Sequence, residues 1–375
     1  MNRLVRRALE QGLALNQVAA ATANNAYDRL FRRETLVKSG LTPFECIHEG
    51  DPMAVRYYPP ADGGPGRPVP LVLVPPLGVT TETFDLLPGR SLVRYMSERG
   101  FRVYLVDWGR PERRHASLGL ADYADDMLAQ ALAAVRAHSG SRDVSLMGWC
   151  MGGLLMLMHA GLTGDQRIRN IVTVASPVDA RGGGMVAGVS QALNAPAQLV
   201  RRYSEFRLHN VDPALLHVPA WLTTLGFKLT APLASVTSYW DLVTRLWDRE
   251  FVESHTTTSD YLDNMLSYPG GVVRDMLVKM AMDNTLSLGR IEIGDGVADF
   301  GRITAAMLVM AGDADHLVAP RTAYKSLDLV SSRDKQFVIA PGGHMGVILG
   351  ARARDSVWAT AADWLGKRSG DTAAP

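Results

Sequence analysis

Val144-Ser145-Leu146-Met147-Gly148-Trp149-Cys150-Met151-Gly152-Gly153 is the stretch that decides the fold of this chain. A run of β-forming apolar residues ends in glycine, a G-x-C-x-G turn follows, and Leu154-Leu155-Met156-Leu157-Met158 then reads as a buried helix. A strand that turns sharply into a helix across one nucleophilic residue is a nucleophile elbow, here with cysteine where serine is usual. The glycines serve a steric need. The elbow holds its nucleophile at a strained backbone angle with strand and helix close behind, so side chains at Gly148, Gly152 or Gly153 would crowd it. Sulfur in that place points to acyl chemistry through a thioester.

On both sides of the elbow the chain alternates strands and helices. Phe44–His48 and Ala54–Tyr58 suggest an opening hairpin; Pro70–Val74, Phe101–Val106, Asp143–Met147, Asn170–Val174, Ala305–Met310 and Gln336–Ile339 suggest further strands. Helices are expected over Leu120–His138 and near Ser356–Leu365. Continuous Val/Ile/Leu strands alternating with helices predict a mainly parallel sheet covered on both faces. With the elbow, the pattern predicts an α/β-hydrolase fold. Between Ala175 and Arg302 the alternation stops, and a segment rich in Trp, Tyr and Met is broken by Pro196, Pro213, Pro219, Pro232 and Pro269. So long a structureless loop is implausible, which makes a large, mostly helical cap inserted into the sheet domain the expectation. The domain plan is therefore an N-terminal helical segment (1–40), the first part of the core (41–178), the cap (179–302) and the second part of the core (303–375). Residues 3–33 carry Leu4, Ala8, Leu13, Leu15 and Val18 at helical spacing, which suits a helix on the core or an amphipathic contact with a partner or an apolar surface.

Two later motifs complete a constellation. Ala311-Gly312-Asp313-Ala314-Asp315-His316-Leu317-Val318 follows one strand, and Pro341-Gly342-Gly343-His344-Met345-Gly346 follows the next. The order nucleophile, acid, histidine is that of α/β-hydrolases. Each residue also falls just past the C-terminal end of a strand, where open α/β sheets gather their functional groups. Cys150 is then the nucleophile and His344 the base that takes its proton. The acid is Asp313 or Asp315; the spacing Gly312-x-x-Asp315-x-x-Val318 favours Asp315. His316 is read as a loop residue and His159 as part of the core. An oxyanion hole needs two N–H groups. Met151, after the nucleophile, supplies one, and Leu77 is the first donor after Pro75 and Pro76, which have no N–H. Cys46, on an alternating strand, is read as structural. Arg201, Arg202 and Arg207 could meet phosphates, but clustered arginines are more often a solvated face.

Composition narrows the classes. The 375 residues carry a formal charge of +1, which builds no global field for nucleic acid or an anionic membrane. With 21% charged and 47% apolar residues the chain is of ordinary globular type. Only two cysteines are present, so no disulfide framework is indicated, and a reducing compartment would keep Cys150 a thiol. No apolar secretory core precedes Arg33, and the apolar stretches Leu154–Leu162 and Trp221–Trp240 do not suit a membrane span, being too short or broken by Lys228 and Pro232. A cytoplasmic protein is expected.

The chain resembles the polyhydroxyalkanoate synthases. The resemblance rests on Gly148-Trp149-Cys150-Met151-Gly152-Gly153; on Val74-Pro75-Pro76, Ser91–Met96 and Leu105–Gly109 upstream; and on Asp283-Asn284 with Leu286 and Gly289, Asp315–Val318 and Gly343-His344 downstream. It runs from about residue 40 to the C-terminus, with cap residues 180–270 matching poorly. The chain is similar to the short catalytic subunits, class III or IV, which work with a separate non-catalytic subunit. The resemblance implies Cys150 as nucleophile, Asp315 as orienting acid and His344 as base. It implies a 3-hydroxyacyl-CoA substrate, a polyester product, a homo-oligomer and a place at the surface of polymer granules. Coenzyme A enters as part of the substrate; no cofactor or metal site is expected. The competing readings are a cysteine hydrolase on the same fold (a thioesterase, a depolymerase or a dienelactone-hydrolase-like enzyme) and a non-catalytic granule-bound scaffold.

Overall fold

A computed structural model of the chain describes residues 3–192, 208–229 and 239–370. A long helix, α1 (Arg3–Phe31), precedes a sheet of eight strands. These are β1 (Glu45–Glu49), β2 (Ala54–Tyr58), β3 (Leu71–Val74), β4 (Val103–Asp107), β5 (Val144–Trp149), β6 (Ile168–Val174), β7 (Ala306–Gly312) and β8 (Lys335–Ala340). In space they run β1-β2-β4-β3-β5-β6-β7-β8. The pairs β1/β2 and β2/β4 are antiparallel, and every later neighbour is parallel. The strands start and stop within a few residues of where the sequence suggests, and β5 continues through Gly148 and Trp149 up to Cys150.

Alternation along the strands divides two cores. Val72 and Val74 of β3 and Tyr104 and Val106 of β4 face one; Leu71, Leu73, Val103 and Leu105 face the other. This is the period of two expected of a pleated strand with both faces covered. Helices α2 (Leu128–Ser139) and α3 (Met151–Thr163) cover the first face, and the segment around Trp358–Leu365 covers the second. The predicted helix over Leu120–His138 is not uniform: a π-helical turn, Asp122–Met127, precedes α2. Leu154 to Met158 are all buried, because α3 has the sheet beneath it and a small hairpin outside it. That hairpin, Arg290–Ile293 with Gly296–Asp299, is an element the helical reading of the segment 179–302 does not foresee. A helix apolar on every side is stable only when enclosed in this way.

The rest of the insertion between β6 and β7, where it is described, carries helices joined by loops: Ala220–Leu229, α4 (Arg249–Asp263) and Gly270–Asp275, which runs into a π-helical stretch to Met282. Helix α1 lies along α4, so its contact is with the inserted segment. Asp28 pairs with Arg249 at 2.6 Å, Asn25 donates to the Leu246 carbonyl at 2.9 Å, and Arg29 donates to Thr256 at 2.7 Å. Leu13, Leu15, Val18, Tyr27, Leu30 and Phe31 of α1 stay exposed. Among the described residues, no helix is long and apolar enough to cross a membrane.

Candidate active site

Parallel strands in register bring the ends of β5, β7 and β8 to one edge of the sheet. Trp149 lies opposite Val174, Val174 opposite Met310, and Gly312 opposite Ala340. Immediately past β5, Cys150 has φ 52° and ψ −121°, a conformation that L residues seldom adopt. Such strain costs on the order of 1–3 kcal/mol and persists only where the surroundings enforce it. Here the Cys150 amide donates to the Val174 carbonyl at 2.8 Å, and its carbonyl accepts from Leu154 at 3.3 Å as α3 begins. Gly152 lies against the backbone of Val74 and Pro75, where any Cβ would overlap it. The sequence must therefore have glycine at this point.

Asp315 and His344 meet across the next two loops. His344 Nδ1 lies 2.8 Å from Asp315 Oδ2. The other carboxylate oxygen, Oδ1, accepts the amides of Leu317 at 2.9 Å and Val318 at 2.8 Å. The Asp315 side chain is wholly buried, so these donors replace the water it has lost. Asp313, its rival in the sequence, is exposed and accepts the Gly342 amide at 2.8 Å. The structure thus brings Asp315 to His344 and turns Asp313 toward the neighbouring loop.

Burial alone would lower the His344 pKa. The charge of Cys150 beside it, with hydrogen bonds to Asp315 and Cys150, outweighs that and raises it to about 10. The rise therefore comes chiefly from negative charge at the neighbouring sulfur, with Asp315 adding to it. Trp149 fixes the imidazole from the side. Its ring lies 5.3 Å from the His344 ring, and its indole N–H donates to the His344 carbonyl at 3.2 Å. His159 behaves in the opposite way: it is buried in α3, bonds the Ala124 carbonyl at 2.8 Å, and has a pKa lowered by burial. His316 is exposed.

Met151 begins α3, and Leu77 lies buried in the loop after β3. Among the described residues, neither amide is taken by a backbone or side-chain acceptor in the turns and loops. An apolar cavity of about 250 Å³ adjoins the acid loop, lined by Val178, Val186, Met276, Met280 and Leu317 among others. Cys46 is exposed on the edge strand β1. Among the described residues, no group of three or more His, Cys, Asp or Glu could hold a metal ion. Arg201, Arg202 and Arg207, along with Pro196 and Pro232, lie outside the described residues.

Two neighbours of the site are not singled out by the sequence reading. Trp149 could have been suspected from its place inside the G-x-C-x-G box. Tyr268, from the inserted segment, donates its hydroxyl to the Leu77 carbonyl at 2.7 Å across 191 positions of sequence, and no local pattern announces that contact.

Residues 70–351 match the family described as alpha/beta hydrolase fold. Among curated proteins, the chain is 28% identical to the poly(3-hydroxyalkanoate) polymerase subunit PhaC of Haloferax mediterranei, over 98% of this chain and 71% of that protein. It is 26% identical to the subunit of the same name from Allochromatium vinosum, over 88% of this chain and 90% of that protein. Among solved structures, a soluble variant of monoglyceride lipase from Saccharomyces cerevisiae superposes with a TM-score of 0.50 at 13% identity, covering 90% of this chain and 97% of that one. That likeness concerns the fold alone.

Proposed function

The chain belongs to the alpha/beta hydrolase fold family and, within it, to the polyhydroxyalkanoate synthases, and from that premise we propose that it polymerises 3-hydroxyacyl-CoA thioesters into polyester through an acyl group carried on Cys150. The observation that carries the reading is the convergence of Cys150 on its strained elbow, His344 beside it, and Asp315 on His344 Nδ1.

His344 takes the proton of the Cys150 thiol, and the sulfur attacks the thioester carbonyl. The oxyanion that forms is met by the amides of Met151 and Leu77. As the bond to the CoA sulfur breaks, His344 returns the proton to it, which releases CoA and leaves an acyl-Cys150 thioester. One thioester replaces another, so this step is close to neutral in energy. A hydroxyl of the next hydroxyacyl unit or of the growing chain then attacks, passing its proton to His344. An ester bond forms and Cys150 is freed. Asp315 keeps the imidazole oriented and stabilises its charged form. Water would divert the intermediate to a free acid. In this reading the inserted segment, whose Tyr268 reaches the loop of Leu77, keeps water from the intermediate. An insoluble product that grows from the enzyme places it at a granule surface.

Incubating the protein with 3-hydroxybutyryl-CoA, with any partner subunit supplied, tests the reading by following free thiol and product. CoA release with insoluble polyester is expected. Release with only free hydroxy acid would replace the synthase by a thioesterase. A wild type no more active than Cys150→Ala would leave a scaffold.

A further inference from the structure

The loop Pro75-Pro76-Leu77-Gly78 cannot hold itself in place. Two of its four residues have no N–H, and Gly78, at φ 81°, is the most permissive kind of residue in a left-handed conformation. Its carbonyls are held instead by donors from other segments. Trp108 donates to Pro75 O at 2.8 Å, Tyr268 to Leu77 O at 2.7 Å, and the Leu266 amide to Gly78 O at 2.9 Å. Two of these three tethers come from the inserted segment. Tyr268 is itself anchored there, exchanging backbone hydrogen bonds with Val218 at 3.0 and 2.9 Å. Its ring lies over Gly78, in the space a Cβ would take. Burial first, and then the charge of Cys150, push its phenol pKa up. The hydroxyl therefore stays a neutral donor, close enough to the nucleophile to sense its charge.

We propose that Tyr268 is a positioning residue for acyl transfer: by holding the Leu77 carbonyl it aims the Leu77 amide at the carbonyl oxygen of the group reacting at Cys150. The inserted segment is thereby part of the oxyanion hole as well as its cover. This rests on the acyl-transfer reading above, but not on the identity of the acceptor. Donors of this kind act on charge that develops only in the transition state, so their loss appears in kcat rather than in KM.

Tyr268→Phe keeps the ring over Gly78 and removes one hydroxyl. With 3-hydroxybutyryl-CoA and, separately, p-nitrophenyl acetate as probes, kcat per folded protein should fall about tenfold with both, a part of what losing a whole oxyanion donor costs. KM should stay within about twofold for each probe. Thermal unfolding, followed in parallel, corrects for folded fraction. Unchanged kcat, a change confined to KM, or a loss that merely tracks the folded fraction would each overturn the proposal. A wild type that acylates from the nitrophenyl ester yet makes no polyester would sink the synthase reading and leave this comparison standing.

Discussion

The loops at the ends of β5, β7 and β8 and the inserted segment between β6 and β7 both border Cys150, yet they are built by different means. In the strand-end loops each functional residue follows its strand within a few positions, and its partners lie on adjacent strands whose register is set by the sheet. The inserted segment reaches the site through isolated tethers, such as Tyr268 to Leu77, and keeps Trp221, Trp240 and Trp247 exposed. The difference teaches that the placing of Cys150, Asp315 and His344 depends on sheet geometry, whereas their surroundings depend on contacts distant in sequence.

The largest expected effect tests the first region. Cys150→Ala should lower CoA release by about 10⁴-fold or more, as loss of a nucleophile does. The same change should bring the His344 pKa down from about 10, because the charge of Cys150 is what chiefly opposes burial there. A raised pKa means that protonating His344 favours the folded form. That stabilisation is complete below the ordinary value of 6.5 and is lost as pH rises through about 10. A plot of Tm against pH should therefore lose this slope in Cys150→Ala, and an NMR titration of His344 checks the cause directly. An unshifted histidine would show that the two side chains are not coupled.

Two carboxylates in one loop sharpen the comparison. Asp315→Asn should lower kcat by about 10²–10⁴-fold by misorienting His344. Asp313→Asn, at an exposed turn contact, should change stability by no more than about 0.5 kcal/mol and leave kcat near wild type. Steady-state kinetics on both variants decides, and equal losses would remove the distinction drawn from their hydrogen bonds.

Gly152→Ala probes the close packing behind the elbow. It should cost about 1–3 kcal/mol in stability, because a methyl group there meets the backbone of Val74 and Pro75, which cannot turn aside as a side chain could. Denaturant unfolding measures it, and a stability equal to wild type would mean that the elbow has room to spare. Smallest is Arg249→Ala, which removes the pair with Asp28 that joins α1 to α4. As a partly exposed ion pair it should contribute under about 1 kcal/mol. A larger loss by the same measurement would make α1 integral to the inserted segment.

The site was more legible than its surroundings for a physical reason. Cys150, Asp315 and His344 stand at strand ends, and strand ends can be read from local apolar runs and glycines. Asp313 and Asp315 could be ranked only by spacing, since the sequence does not reveal which carboxylate faces the imidazole. The amides of Leu317 and Val318 turn Asp315 inward, and the Gly342 amide engages Asp313. The hairpin at 290–299 was hidden because its short strands, Arg290–Ile293 and Gly296–Asp299, alternate too briefly to be told from loop. Tyr268 was hidden more deeply, its partner being 191 positions away.

By itself the sequence determined the elbow, the placing of Cys150, Asp315 and His344 just past strand ends, and the mainly parallel sheet, because glycine sterics and hydrophobic periodicity act over a few residues. Tertiary structure alone decided which aspartate holds His344, that Trp149 packs against that ring, that α1 lies along α4, and that Tyr268 tethers the loop of Leu77. Those outcomes depend on how close distant segments come once the sheet has formed, and such distances are not encoded in any single stretch of the chain.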